Sequence, residues 1–285
     1  MNLFNVAFDV LRELLARKFI LAAGIFVSIG MLGLIVTLDL DVVDGAISSA
    51  RIFGLGGALS EGVDADAALG TVFKAFTYVV FYVGLLFGVV STADIAAKML
   101  SPGRVELYLS LPVRRVELVV GTYLGVMLIA TLGTAFTVGG VSLILFLKAE
   151  LVTFAPLAGA ACAIIGFSAL YGVMLLSTTL VRSSALAAGV GLMTFLAGVI
   201  TSNREGFLSF FSGIPQSVIE VLIAPLPRFM SLAELGARAQ ASASAAETTV
   251  KAADALQAGP IIGGTLIFAA AMVGLATFVV SSKDY

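Results

Sequence analysis

The chain has 285 residues, of which 60% are hydrophobic and only 12% charged, with a mean hydropathy of +1.10 and a formal net charge of −2. So few charges cannot cover a soluble domain of this length, and the composition is that of an integral membrane protein. It offers no basic surface for nucleic acid, and the absence of histidine with a single cysteine, Cys162, removes the commonest metal ligands and any intrachain disulfide.

Residues 2–18 predict an amphipathic helix lying in the membrane interface, with Leu3, Ala7, Val10 and Leu14 on one face and Asn5, Asp9, Arg12 and Glu13 on the other. Arg17 and Lys18 follow, placed to snorkel into the headgroups. The next apolar run is longer than a signal-peptide core and no small-residue cleavage site follows it.

A helix needs about 20 apolar residues to cross a bilayer. Charge-poor runs of that length predict six spans, at about 19–38, 73–93, 118–147, 151–181, 183–203 and 260–282. The third and fourth exceed what the lipid requires and are expected to tilt or project. The acidic stretch that holds Asp39, Asp41, Asp44, Glu61, Asp64 and Asp66 reads as a solvated loop in preference to a cation site. Gly206–Ile219 is too short to span and predicts an interfacial or re-entrant helix, and the Ala- and Ser-rich residues 231–259 read as polar outer helices that re-enter the bilayer near Pro260. Cys162, among apolar neighbours, reads as a small buried packing residue.

The N-terminus, the 94–117 island, Arg182 and Lys283 hold nine Lys and Arg, against seven dispersed over the longer opposite segments. The positive-inside rule then puts both termini and the island in the cytoplasm. Gly84 and Gly88, like Gly121 and Gly125, are spaced four apart, which lets helix backbones approach closely, either within one protomer or between two copies.

The island between the second and third spans is the most informative segment. Ser101-Pro102 reads as an N-cap and first helical residue, and the spacing of Val105, Tyr108 and Leu109 predicts one apolar stripe. Leu111 before Pro112 ends that short helix, and Arg114 and Arg115 mark a second start. The result is a small docking element on the membrane surface, with Arg104, Glu106, Arg114, Arg115 and Glu117 as its charges, Tyr108 and Leu109 as an apolar anchor and Pro112 as a fixed corner. Arginines holding a loop at anionic headgroups are the alternative, which accounts for the charge but not for the capped helix and proline corner. The spans hold no constellation of charges such as proton relays use, no serine with a histidine base, and no lysine that follows a glycine as in a phosphate-binding loop. Any energy for work must come from another chain.

The segment PGRVELYLSLPVRRVELVVGTYLG resembles the signature of bacterial type-2 ABC exporter permeases of the NosY-like kind, through Gly103, Leu109, Leu111, Pro112, Arg115, Gly121 and Gly125. IAPLPRFMSLAELG likewise resembles the family's proline-then-phenylalanine stretch before the last span. The pattern departs from the family in Lys98-Met99-Leu100 before Pro102, where an acidic residue is common, and in Thr122 after Gly121. The resemblance implies an all-α polytopic fold forming a single transmembrane domain over 1–285: an elbow helix at 2–18, six spans, a cytoplasmic coupling region at 98–117 and an outer helical segment at 204–259. It further implies a permease subunit in the bacterial inner membrane, paired with a second copy and driven by two separate ATPase subunits. ATP and magnesium would sit on those subunits and none on this chain, which would be no enzyme itself. A non-transporting scaffold or mechanical transmitter acting on an extracytoplasmic partner is the alternative from another class, and an energy-independent channel a further one. Membrane lipid is an expected partner in every case.

Overall fold

The computed structural model describes residues 3–16, 18–43, 46–52, 65–99, 114–149, 156–202, 226–244 and 250–282. Along these the chain forms α1 (Leu3–Leu15), α2 (Lys18–Thr37), β1 (Leu38–Val43), β2 (Ala46–Ile52), α3 (Ala65–Met99), α4 (Arg115–Ala149), α5 (Pro156–Val181), α6 (Ser184–Ser202), α7 (Phe229–Ser244) and α8 (Val250–Ser282).

Five helices are long and apolar enough to cross a bilayer, through Thr77–Ile95, Arg115–Ile144, Pro156–Val181, Ser184–Ser202 and Ala258–Ser282. The chain is therefore a helical, multi-pass membrane protein. α2 adds 20 residues with one charge, Lys18, at its first position. The projection expected of the third span is seen in α4, of 35 residues, and α3, of which it was not expected, has the same length. At 1.5 Å per residue they reach about 52 Å, against a hydrocarbon core of about 30 Å.

α5 is the central post. In its apolar window 72% of residues are buried, against 17 to 33% in the other four. Its small residues explain why: Gly159, Ala160, Ala163, Gly166, Ala169 and Gly172 let neighbours close in on every side. A Cβ at Gly166 would stand 3.3 Å from the Phe81 ring of α3, and one at Gly172 would stand 3.3 Å from the Ala269 carbonyl of α8. Around this post Phe81, Phe167, Leu170, Tyr171, Met174, Phe195, Phe229 and Leu232 form one buried cluster. The hydroxyls inside the bundle need partners, because lipid supplies none. They turn to their own helices: Thr92 donates to the Gly88 carbonyl at 2.7 Å, Thr122 to Leu118 at 2.7 Å and Thr178 to Leu175 at 2.7 Å. Cys162 is buried, as its neighbours in sequence lead one to expect.

Two expectations are corrected. The acidic stretch after α2 is not loop throughout: β1 and β2 pair as an antiparallel hairpin with Leu38 opposite Ile52, Asp39 opposite Arg51, and an irregularity between Asp41 and Val42. The all-α expectation therefore holds for the apolar body and fails at this hairpin. α7 is not a peripheral polar helix. Phe229, Leu232, Ala233, Gly236 and Ala237 are buried against α3, α5 and α6. The re-entry expected near Pro260 agrees with the apolar stretch that begins at Ala258, within an α8 that runs unbroken from Val250 through that proline. The interfacial or re-entrant helix expected within 206–219 lies outside the described residues.

Candidate coupling end of the bundle

α4 begins where its sequence provides a cap. The Arg114 backbone N–H donates to Glu117 Oε2 at 3.1 Å, and the Arg114 carbonyl accepts the Leu118 N–H at 3.2 Å. This is the return half of a capping box, with the glutamate three residues into the helix and its charge favourable at the positive end of the helix dipole. Arg114 is exposed and Arg115 half-buried. The second helix start predicted from these arginines is thus observed, and Glu117 is the residue that makes it. The sequence marked Glu117 as part of the island, yet its capping role was legible only through its spacing from the first helical residue.

α1 packs against the first turns of α4. A Cβ at Gly121 would stand 2.8 Å from Val6 Cβ, and one at Gly125 would stand 2.7 Å from both Val10 Cβ and the Ala7 carbonyl oxygen. Successive steps of four residues on both helices bring them side by side over this turn. The apolar face of α1 is therefore spent on protein, through Val6, Ala7, Val10 and Leu14. A second stripe, with Phe4 at 70% and Phe8 at 55% exposure and Leu15 beyond them, remains open.

The ends of α3, α5 and α8 lie at the same end of the bundle. Val119 of α4 clusters with Leu175 of α5 and with Ala276 and Val280 of α8. α5 turns into α6 through Arg182 and Ser183 alone. Arg182 takes a left-handed φ of 55° while its N–H donates to the Thr178 carbonyl at 2.8 Å, and the Ser183 carbonyl accepts the Ala187 N–H at 3.1 Å. α3 ends with Lys98 paired to Asp94 at 2.6 Å.

Of the residues that the sequence singled out, Arg114, Arg115, Gly121 and Gly125 are brought together here. Arg104, Glu106, Tyr108, Leu109 and Pro112, with the short helix predicted around them, lie outside the described residues. The second glycine pair divides. A Cβ at Gly88 would stand 2.5 Å from the Phe167 ring, whereas nothing lies within 4 Å of one at Gly84. Three of the four glycines thus make contacts within one protomer. The arrangement presents a polar, arginine-bearing rim at one end of the bundle, where α3 ends, α4 begins with α1 packed on it, and α5 turns into α6.

No protein-family model matches the chain, and no curated protein is significantly similar to it.

Proposed function

We propose that this chain is the membrane-spanning permease subunit of an ATP-driven ABC-type exporter, driven by a separate ATPase that docks on residues 98–117. With α2 counted as a span there are six crossings, which returns both termini to the docking side. Over the whole sequence nine Lys and Arg fall on that side, close to the span ends, against seven dispersed over the longer segments of the other, as expected if the docking side is cytoplasmic. α1 then lies at the cytoplasmic border and turns Phe4 and Phe8 toward lipid as an elbow. Two copies of the permease with two ATPases complete the machine, and ATP and magnesium are held by the ATPases.

The observation that supports this reading is the convergence of α1, α3, α4 and the α5–α6 turn at one basic rim. Motion delivered there passes to packed helices through contacts such as Gly125 on Val10, which are too close to slip independently. The test is co-purification from the native host. A nucleotide-binding subunit should accompany the chain in equal amount. Tyr108→Ala combined with Arg115→Ala should weaken that association by roughly a thousandfold if each truncation costs about 2 kcal/mol. Arg115→Lys should also weaken it, because a bidentate contact needs the guanidinium fork. Undiminished association in the double variant sinks the coupling assignment, and recovery of an extracytoplasmic partner with no ATPase favours the transmitter.

A further inference from the structure

Away from the coupling rim, a groove of about 460 Å³ lies between the start of α7 and one side of α8. Leu226, Pro227 and Arg228 form one wall, and Ile261, Gly264, Ile267, Phe268 and Met272 are prominent on the other. The α8 wall extends from Pro260 to Met272, about 18 Å at 1.5 Å per residue. Half of a 30 Å hydrocarbon core is about 15 Å, so the groove has the length of one acyl chain in one leaflet. It opens sideways, since Ile267 is 72% exposed on a helix that is long and apolar enough to span.

Arg228 gives this apolar trough a charge. The Ser202 hydroxyl accepts the Met230 N–H at 2.9 Å, which ties the first turn of α7 to the last turn of α6. Gly236, two turns further along α7, meets Gly159 in the first turn of α5. The start of α7 therefore lies at the end of the bundle where α6 ends and α5 begins, opposite the coupling rim. Arg228 is exposed at that end, where a long basic side chain can reach a headgroup phosphate. Among the described residues no carboxylate pairs with Arg228, and no acidic residue occupies the first turn of α7, whose positive dipole end adds to the guanidinium.

We propose that this groove binds a phospholipid with an anionic headgroup, its acyl chain along Gly264–Met272 of α8 and its phosphate on Arg228. The site is independent of the ATPase and holds whether the chain exports or only transmits. Under the exporter reading it is a lipid station in the leaflet opposite the coupling rim.

Native mass spectrometry of the purified chain, with phosphatidylglycerol and phosphatidylcholine added in equal amounts, tests it. Wild type should retain phosphatidylglycerol about tenfold better, because both lipids offer Arg228 a phosphate but only phosphatidylcholine brings a quaternary ammonium that the guanidinium repels. Arg228→Gln should bring the two lipids level and Arg228→Lys should keep most of the preference. Gly264→Leu places a bulky side chain on the α8 wall of the trough, at a position where a Cβ meets nothing within 4 Å. It should release both lipids while the protein remains monodisperse. No preference in wild type, a preference unchanged by Arg228→Gln, or retention unchanged by Gly264→Leu would each overturn the proposal. So would a change of oligomeric state in Gly264→Leu with lipid retention intact, which assigns the groove to a second copy of the chain.

Discussion

The carbonyl oxygen of Ala7 lies 2.7 Å from where a Cβ on Gly125 would stand, so the backbone of α1 rests directly on α4. A carbonyl cannot rotate away as a side chain can. Gly125→Ala should therefore lift α1 from α4 at a cost of about 1–3 kcal/mol, the usual range for overpacking. Gly84→Ala is the internal control. With open space around it, that change should stabilise α3 by up to about 1 kcal/mol through helix propensity. Thermal unfolding in detergent, with proteolysis of the N-terminal segment as a local readout, separates the two.

The junction of α6 and α7 depends on few atoms. The Met230 N–H has Ser202 Oγ as its acceptor, Thr201 Oγ1 donates to the Pro227 carbonyl at 3.3 Å, and the Phe229 ring covers Gly198. Ser202→Ala should cost about 1 kcal/mol, as the loss of an N-cap hydroxyl does elsewhere, and Ser202→Thr should recover most of it. Gly198→Ala should cost more, because the ring and the Pro227 carbonyl both stand in the way. Apparent melting temperatures in a single detergent would rank them, and equal values across all three would refute the junction.

At the α5–α6 turn, Arg182 adopts a backbone conformation that side chains with a branched Cβ resist. Arg182→Gly and Arg182→Val both lose the guanidinium, so their difference isolates the backbone. Valine should be less stable than glycine by about 1–2 kcal/mol in chemical denaturation.

Orientation is checked by labelling. In a Cys162→Ala background, cysteines at Ser49 of β2 and Ser244 at the end of α7 should react with an impermeant maleimide in intact cells, and one at Ser101 should not. Labelling at Ser101 alone would invert the proposed topology.

The long helices were legible because an apolar run of spanning length has few alternatives in a membrane. α4 shows this: its start at Arg114 and Arg115 was predicted and observed, and Glu117 supplied the cap. α7 was misread because Ser231, Glu234, Arg238 and Ser244 dominate its composition. Its burial was nevertheless written in spacing, since Phe229, Leu232, Ala233, Gly236 and Ala237 recur at three and four residues. The hairpin was missed although its strands bracket Asp44-Gly45, a strong two-residue turn signal, because the acidic residues around it suggested only solvent. For α1 the periodicity was right in kind, but a helix with two apolar faces does not say which one meets protein. That choice was made by Gly121 and Gly125, more than a hundred residues away in sequence.

The link between α5 and α6 carries a consequence for how the bundle moves. Only Arg182 and Ser183 separate Val181 from Ser184, so no long tether joins the helices. The two are therefore held as a helical hairpin with Arg182 at its tip. Because α5 is also the post on which α3, α7 and α8 pack, a shift of this hairpin displaces the helices around it as well.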